Sequence, residues 1–265
     1  FGGVRQCFVD GDDFIDAAFL KHLLDASDRG ASDLTVAGKL FCDRFPPDKI
    51  PALPTCGIFL RREFPLKNNL EFPEGIHPCE DGLFSHFVLA LTEKISFCPE
   101  AVYHYRQHEQ GNHHQIRKRT ADILPMIPRW LSLIEEFYEQ RHLWKRKAGH
   151  LVRFIEHEPF ELRLLGMPFS PPEQEILYSI IRDFLTAHCT AAECRRASLH
   201  LPFRLLLQSS GFSDFGRRLR RAGKNTGIRR KLLHFCPVPS WRRNGRAQLR
   251  QVREQLEEIR RNITF

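Results

Sequence analysis

Apolar and polar positions alternate in two different rhythms along the chain. Residues 4–9, VRQCFV, form a short apolar run that predicts a buried strand ending at Asp10. Asp16 then stands where a helix cap is expected, ahead of Phe19, Leu20, Leu23 and Leu24 at helical spacing. LTVAGKLF over 34–41 and TCGIFLRR over 55–62 predict two more strands, separated by a loop holding Pro46, Pro47, Pro51 and Pro54. Residues 63–79 are irregular. A helix is expected from Asp81, with Leu83, Phe84, Phe87, Val88 and Leu91 on its apolar positions. KISFC and AVYHYR follow as strands around Pro99. Strands alternating with helices predict an α/β fold. After about residue 118 the rhythm becomes helical throughout, over 122–147, 150–165, 172–189 and 246–261. Two domains are therefore expected, 1–118 and 119–265, the second all-α.

Composition narrows this picture. The chain has 265 residues, of which 42% are hydrophobic and 27% charged, enough for a sizeable core. No apolar stretch approaches the ~20 residues of a membrane-spanning helix, and no secretory leader is evident at the start. The first residue is Phe1 and only nine residues precede Asp10, so a fragment is expected. None of the eight cysteines lies in a C-x-x-C pair, which argues against a zinc ribbon and fits reduced thiols in a cytoplasmic protein. The net charge of +8 is uneven. Residues 217–261 hold 15 Lys/Arg and 3 Glu, a net +12, so the remainder is acidic at −4.

The acidic part contains the candidate chemistry. In CFVDGDDFIDAAF, Asp10, Asp12 and Asp13 crowd into four positions at a strand end. The plainest interpretation is a solvated turn, which Asp and Gly favour. A calcium-binding EF-hand loop counted from Asp10 would need Gly and Glu where Ile15 and Lys21 stand, so it fails. A phosphatase of the haloacid dehalogenase type also resembles this stretch, but Phe14 replaces its expected Thr or Val. A third possibility is a sugar-transfer site. There, carboxylates at a strand end hold a divalent cation, and the cation neutralises a departing diphosphate.

FVDGDDFID, then LEFPEGIHPCEDGLFSHFVLAL, then KISFCPEAVYHYRQHEQGN together resemble the family 2 glycosyltransferases of the GT-A fold, over about residues 4–112. The resemblance implies a partial GT-A domain and a nucleotide-sugar donor. Asp10 and Asp12 become the metal ligands, with Mg²⁺ or Mn²⁺ as the cation. Asp10, Asp13, Glu80 and Arg106 become donor contacts, and Asp81 the general base. Tyr103, Tyr105 and Arg106 match the segment that closes the site. The implied reaction is an inverting displacement onto a glycan or lipid-linked glycan in surface polysaccharide synthesis. The family's nucleotide-binding half, with an IPVYN-like stretch, is expected before the aspartates and does not precede them here. The resemblance therefore implies that this fragment alone is inactive.

Three other features were weighed against this reading. His104 and His108 would share a helical face as metal ligands, but strand alternation suits surface or phosphate-contacting roles better. Cys79, beside Glu80, lacks an organised Cys/His partner and is expected to be structural. The basic segment 217–261 reads most plainly as a solvated basic helix pair; with Phe235 and Trp241 it also suits an anionic membrane surface on the cytoplasmic side. Nucleic acid ranks last, because no motif accompanies the charge. Leu249, Val252, Leu256 and Ile259 predict a helix packed on the protein or on a second copy. Besides the phosphatase, a non-catalytic, basic-tailed membrane- or nucleic-acid-binding protein is the alternative to a transferase.

Overall fold

The structure, a computed structural model, describes residues 4–106, 119–198 and 200–234, with Arg250 and Glu254. It divides into two compact units, Phe1–Phe154 and Ile155–Phe265. The domain boundary expected near 118 lies outside the described residues. The helices from 120 to 154 belong to the first unit.

A mixed four-stranded sheet forms the centre of the first unit. Its strands are β1 (Arg5–Cys7), β3 (Leu34–Ala37), β4 (Ile58–Arg61) and β5 (Ile95–Cys98), in the order β1-β4-β3-β5. β4 pairs antiparallel with both β1 and β3, and β3 pairs parallel with β5. A separate ribbon joins β2 (Phe14–Ile15) to β6 (Tyr103–His104), with Phe14 opposite His104 and Ile15 opposite Tyr103. The helices of this unit are α1 (Phe19–Arg29), α2 (Lys39–Arg44), α3 (Glu63–Lys67), α4 (Glu80–Leu91), α5 (Thr120–Ile123), α6 (Met126–Gln140) and α7 (Trp144–Ile155), the last ending at the boundary. The α/β class with a following helical region is thus realised.

Several element ends differ from the sequence pattern, each for a local reason. β1 is shorter than 4–9 and lies at the sheet edge, with Val4 and Val9 exposed rather than buried. β3 stops at Ala37 because Gly38 adopts φ +88°, a left-handed backbone that glycine tolerates, and α2 begins there. Asp16 does not cap α1. Its side chain turns to His104, while Ala18 occupies the cap position without a side-chain bond. The stretch 55–62 starts with a 3₁₀ turn, Thr55–Gly57, before β4.

The second unit is helical. A π-helix, Glu156–Leu165, carries Pro159. A ring without an N–H interrupts ordinary helical bonding, and wide turns of this kind recur at functional or strained places. α8 (Pro171–His188), α9 (Ala191–Ala197), α10 (Leu201–Gln208) and α11 (Phe212–His234) follow. Ser170 and Thr190 each close a capping box, with Glu173 and Glu193. Phe160 packs on Phe203 and Phe215, with ring centroids 5.0 and 6.1 Å away. No described helix is long and apolar enough to cross a membrane. Of the helix expected over 246–261, only Arg250 and Glu254 are described, and both are helical.

Candidate active site

The three aspartates follow β1 in a tight turn. The Asp13 amide donates to the Asp10 carbonyl at 3.1 Å, and Asp is favoured at the first position of such turns. The β2–β6 ribbon then brings the second half of the chain alongside. Tyr103, from β6, donates its hydroxyl to Asp13 Oδ2 at 2.7 Å and accepts from the Asp10 amide at 3.1 Å. The Arg106 amide donates to Asp13 Oδ1 at 2.8 Å. Both oxygens of Asp13 are therefore engaged, which fixes its carboxylate as a strut between the turn and the ribbon. Asp10 and Asp12 are exposed, as is Arg106. His104 bonds Asp16 at 2.6 Å and stacks on Phe14 with centroids 4.3 Å apart. His108, His113 and His114 lie outside the described residues.

The second acidic motif opens α4. Cys79 stands at the cap position with φ +86°, a strained left-handed conformation for a residue with a Cβ. Asp81 Oδ1 accepts from the Gly82 amide at 2.7 Å, and Glu80 bonds His77 at 3.2 Å. Two side chains of α4 anchor its orientation. Ser85 Oγ accepts from the Leu53 amide at 2.8 Å, and His86 Nδ1 donates to the Pro51 carbonyl at 3.0 Å. Tyr138 of α6 bonds His86 Nε2 at 3.1 Å. Phe87 stacks on Phe137 at 4.2 Å. Residues 82–90 are all buried, so the first turn of α4 sits on a rigid support.

Electrostatics tie the two motifs together. The Cys56 thiol is pushed up to about 12, by burial first and then by the negative charges of Asp10, Asp81 and Asp13. Cys56 therefore lies where both acidic motifs converge. The Tyr105 hydroxyl is raised by burial and by Asp13, Asp12, Asp10 and Cys56 in turn. Tyr103 is raised as well, chiefly by burial. The Asp10 carboxyl itself is held above its ordinary value by burial and by Asp13 and Asp12. Like charges crowded in this way disfavour one another's ionised forms. Such perturbed clusters are typical of functional sites.

Neither a protein-family model nor a curated protein matches the chain. Solved structures do. The crystal structure of S. aureus TarS 1–349 is 17% identical, with a TM-score of 0.50, covering 100% of this chain and 69% of that one. The same TarS segment in complex with UDP-GlcNAc gives 17% identity and a TM-score of 0.55, covering 100% of this chain and 70% of that one. TarS is a family 2 glycosyltransferase. The chain shares the fold of TarS.

The acidic residues were tested for a cation on chemical grounds. Carboxylate oxygens are the hard donors that Mg²⁺ or Mn²⁺ prefers. A cation at Asp10 and Asp12 would offset the Asp13 and Asp12 charges that add to burial in raising Asp10. Among the described residues, no group of three or more His, Cys, Asp or Glu forms a protein-only metal cage. The arrangement thus suits a cation held by one or two carboxylates and completed by phosphate and water, the usual state of Mg²⁺.

Of the residues singled out in the sequence, Asp10, Asp13 and Asp81 all act electrostatically on the Cys56 thiol. Arg106 lies beside the turn through its main chain, and Glu80 is turned to His77. Cys56 was not foreseen. It stands in the 3₁₀ turn Thr55–Gly57 with no partner at motif spacing, so only the fold reveals it.

Proposed function

We propose that this chain supplies the cation and acceptor side of a glycosyltransferase that uses a nucleotide-sugar donor. The observation that carries the proposal is the aspartate turn after β1, held by Tyr103 and the Arg106 amide, within a fold shared with TarS. The complex of TarS with UDP-GlcNAc supports a uridine diphosphate donor.

In this reading Asp10 and Asp12 hold Mg²⁺ or Mn²⁺ against the donor diphosphate. Such a cation supplies charge neutralisation to the leaving group. Asp13 keeps the turn in place through Tyr103 and Arg106. The Arg106 side chain forks onto phosphate oxygens, a geometry that guanidinium groups favour. Glu80 contributes a donor contact. Asp81, at a helix N-terminus that favours its ionised form, removes the acceptor proton, so that the hydroxyl attacks the anomeric carbon with inversion. The acceptor is a glycan or lipid-linked glycan in surface polysaccharide synthesis. The basic segment 217–261 would hold the protein at an anionic membrane face on the cytoplasmic side. Arg217 and Arg218 at its start pair with Asp214, at 3.3 and 2.8 Å. Phe235 and Trp241 lie outside the described residues, as do Leu249, Val252, Leu256 and Ile259.

The test is release of UDP from UDP-GlcNAc and related donors by the full-length protein, with Mn²⁺ or Mg²⁺ and with glycan acceptors. Release that stops on chelation is the expected result. Absence of release from every nucleotide sugar, with and without acceptor, would overturn the proposal.

A further inference from the structure

The second unit carries a pair of thiols that the proposed reaction does not use. Thr190 caps α9, and its box with Glu193 is complete. The Thr190 amide and hydroxyl donate to Glu193 Oε2 at 2.8 and 2.7 Å, and the Glu193 amide donates to Thr190 Oγ1 at 3.2 Å. The Cys194 amide closes the first helical turn on the Thr190 carbonyl at 3.0 Å. Cys189 is the residue before the cap and Cys194 the fourth helical residue. In a capping box these two positions face each other, and they usually hold an apolar pair that fixes the angle at which the chain enters the helix. Here both are cysteines, so the capping box sets the two thiols against each other. Cys189 is half-buried and Cys194 buried.

We propose that Cys189 and Cys194 form a redox-active dithiol, closed to an intrachain disulfide by small-molecule disulfides. Three features of the pair favour this. The capping box already turns the two side chains toward each other, so closure needs little movement of the chain. Each thiol acts on the other, lowering Cys194 and raising Cys189, which concentrates thiolate character on one sulfur. Thiolate is the attacking form in exchange. The half-buried Cys189 gives solvent access to the pair.

The step balances as follows. A thiolate of the pair attacks one sulfur of the oxidant, breaking its S–S bond and releasing one small thiolate. The second cysteine gives up its proton and attacks the protein sulfur of the mixed disulfide, releasing the second small thiolate. The two protein thiols lose two electrons to the oxidant disulfide, and their two protons end on the two small thiols. The bridge would fix the junction between α8 and α9 covalently, where the capping box alone now holds it.

Both cysteines fall in one tryptic peptide, Asp183–Arg195. The full chain is treated with oxidised glutathione, alkylated under denaturing conditions, digested and weighed. The expected product is this peptide without alkyl groups and lighter by two hydrogens, restored to the doubly alkylated form by prior dithiothreitol. In Cys189→Ser the second attack is impossible, and Cys194 should retain glutathione as a mixed disulfide. A wild-type peptide that is alkylated at both sites, or that carries glutathione on each cysteine, would overturn the proposal. Bridging that proceeds equally fast in urea would also overturn it, because the fold would then not be what brings the sulfurs together.

Discussion

Both units concentrate acids, and the two clusters behave in opposite ways. In the first, burial and the charges of Asp13 and Asp12 raise Asp10, and burial with Asp10, Asp81 and Asp13 raises Cys56. In the second, each acid of the π-helix has a partner. Glu161 bonds His157 at 3.4 Å and also His200, Glu158 pairs with Arg163 at 3.4 Å, and Glu156 accepts from the His200 amide at 2.8 Å. The carboxyl of Glu161 is held down at about 2 by these histidines, although burial alone would raise it. The number of acids does not separate a site from a scaffold, since both clusters are rich in them. Unrelieved repulsion does. The first cluster crowds like charges at a place where a cation would neutralise them and a diphosphate would complete the cation's shell. The second is complete within the protein.

The largest expected effect separates the clusters by activity. Asp81→Asn in the full-length protein keeps size and hydrogen bonding but removes basicity. Turnover should fall by roughly 10²–10⁴-fold, the usual contribution of a general base, with donor affinity retained. A collapse of donor affinity at unchanged saturating turnover would make Asp81 a binding residue.

Glu161→Gln should do the reverse. It leaves two histidines without their carboxylate and should cost about 3 kcal/mol of stability, in the range for breaking a buried pair. Denaturant unfolding reads this directly, and turnover of the folded fraction should not change. The pH dependence carries the same signature. Glu161 is lowered from 4.5, so its contribution is present above that value and lost as pH falls toward about 2. His200 is raised above 6.5, so its contribution is present below that value and lost as pH rises through its folded value. The clasp is therefore strongest between about 4.5 and 6.5.

The first unit has the opposite preference. His86 is lowered to about 3 by burial, and its neutral form is the one that fits Pro51 and Tyr138. Its contribution is complete above 6.5 and lost as pH falls from there toward about 3. At pH 5 the loss should be roughly 2 kcal/mol. Hydrogen exchange at pH 5 and pH 7 should show α4 and α6 losing protection on acidification while the π-helix keeps its own. Equal loss in both units would erase the distinction drawn between them.

The legible parts of the sequence were those whose physics is local. The apolar spacing of Leu83, Phe84, Phe87 and Val88 gives α4 almost to the residue, and the Asp10–Asp13 cluster marks its own turn. The strand ends were less legible, because Gly38 and the 3₁₀ turn at Thr55 act through backbone conformation rather than hydrophobic period. The helical character of 119–265 was legible, but the bounds of α9 and α10 were not, although Thr190 and Glu193 spell a capping box. The pairing of Asp16 with His104 and the convergence on Cys56 depend on contacts across 88 positions and between motifs, which no local pattern contains.

The central claim is that the first cluster is completed by a cation and a diphosphate. Calorimetric binding of UDP to the full-length protein, with Mn²⁺ and with chelator, tests it most directly in wild type, Asp12→Ala and Asp81→Asn. The account predicts that Mn²⁺ strengthens UDP binding in wild type and in Asp81→Asn, and that Asp12→Ala loses this gain while remaining folded. UDP affinity that is the same with Mn²⁺ and with chelator in wild type, or a gain that survives Asp12→Ala, would contradict it.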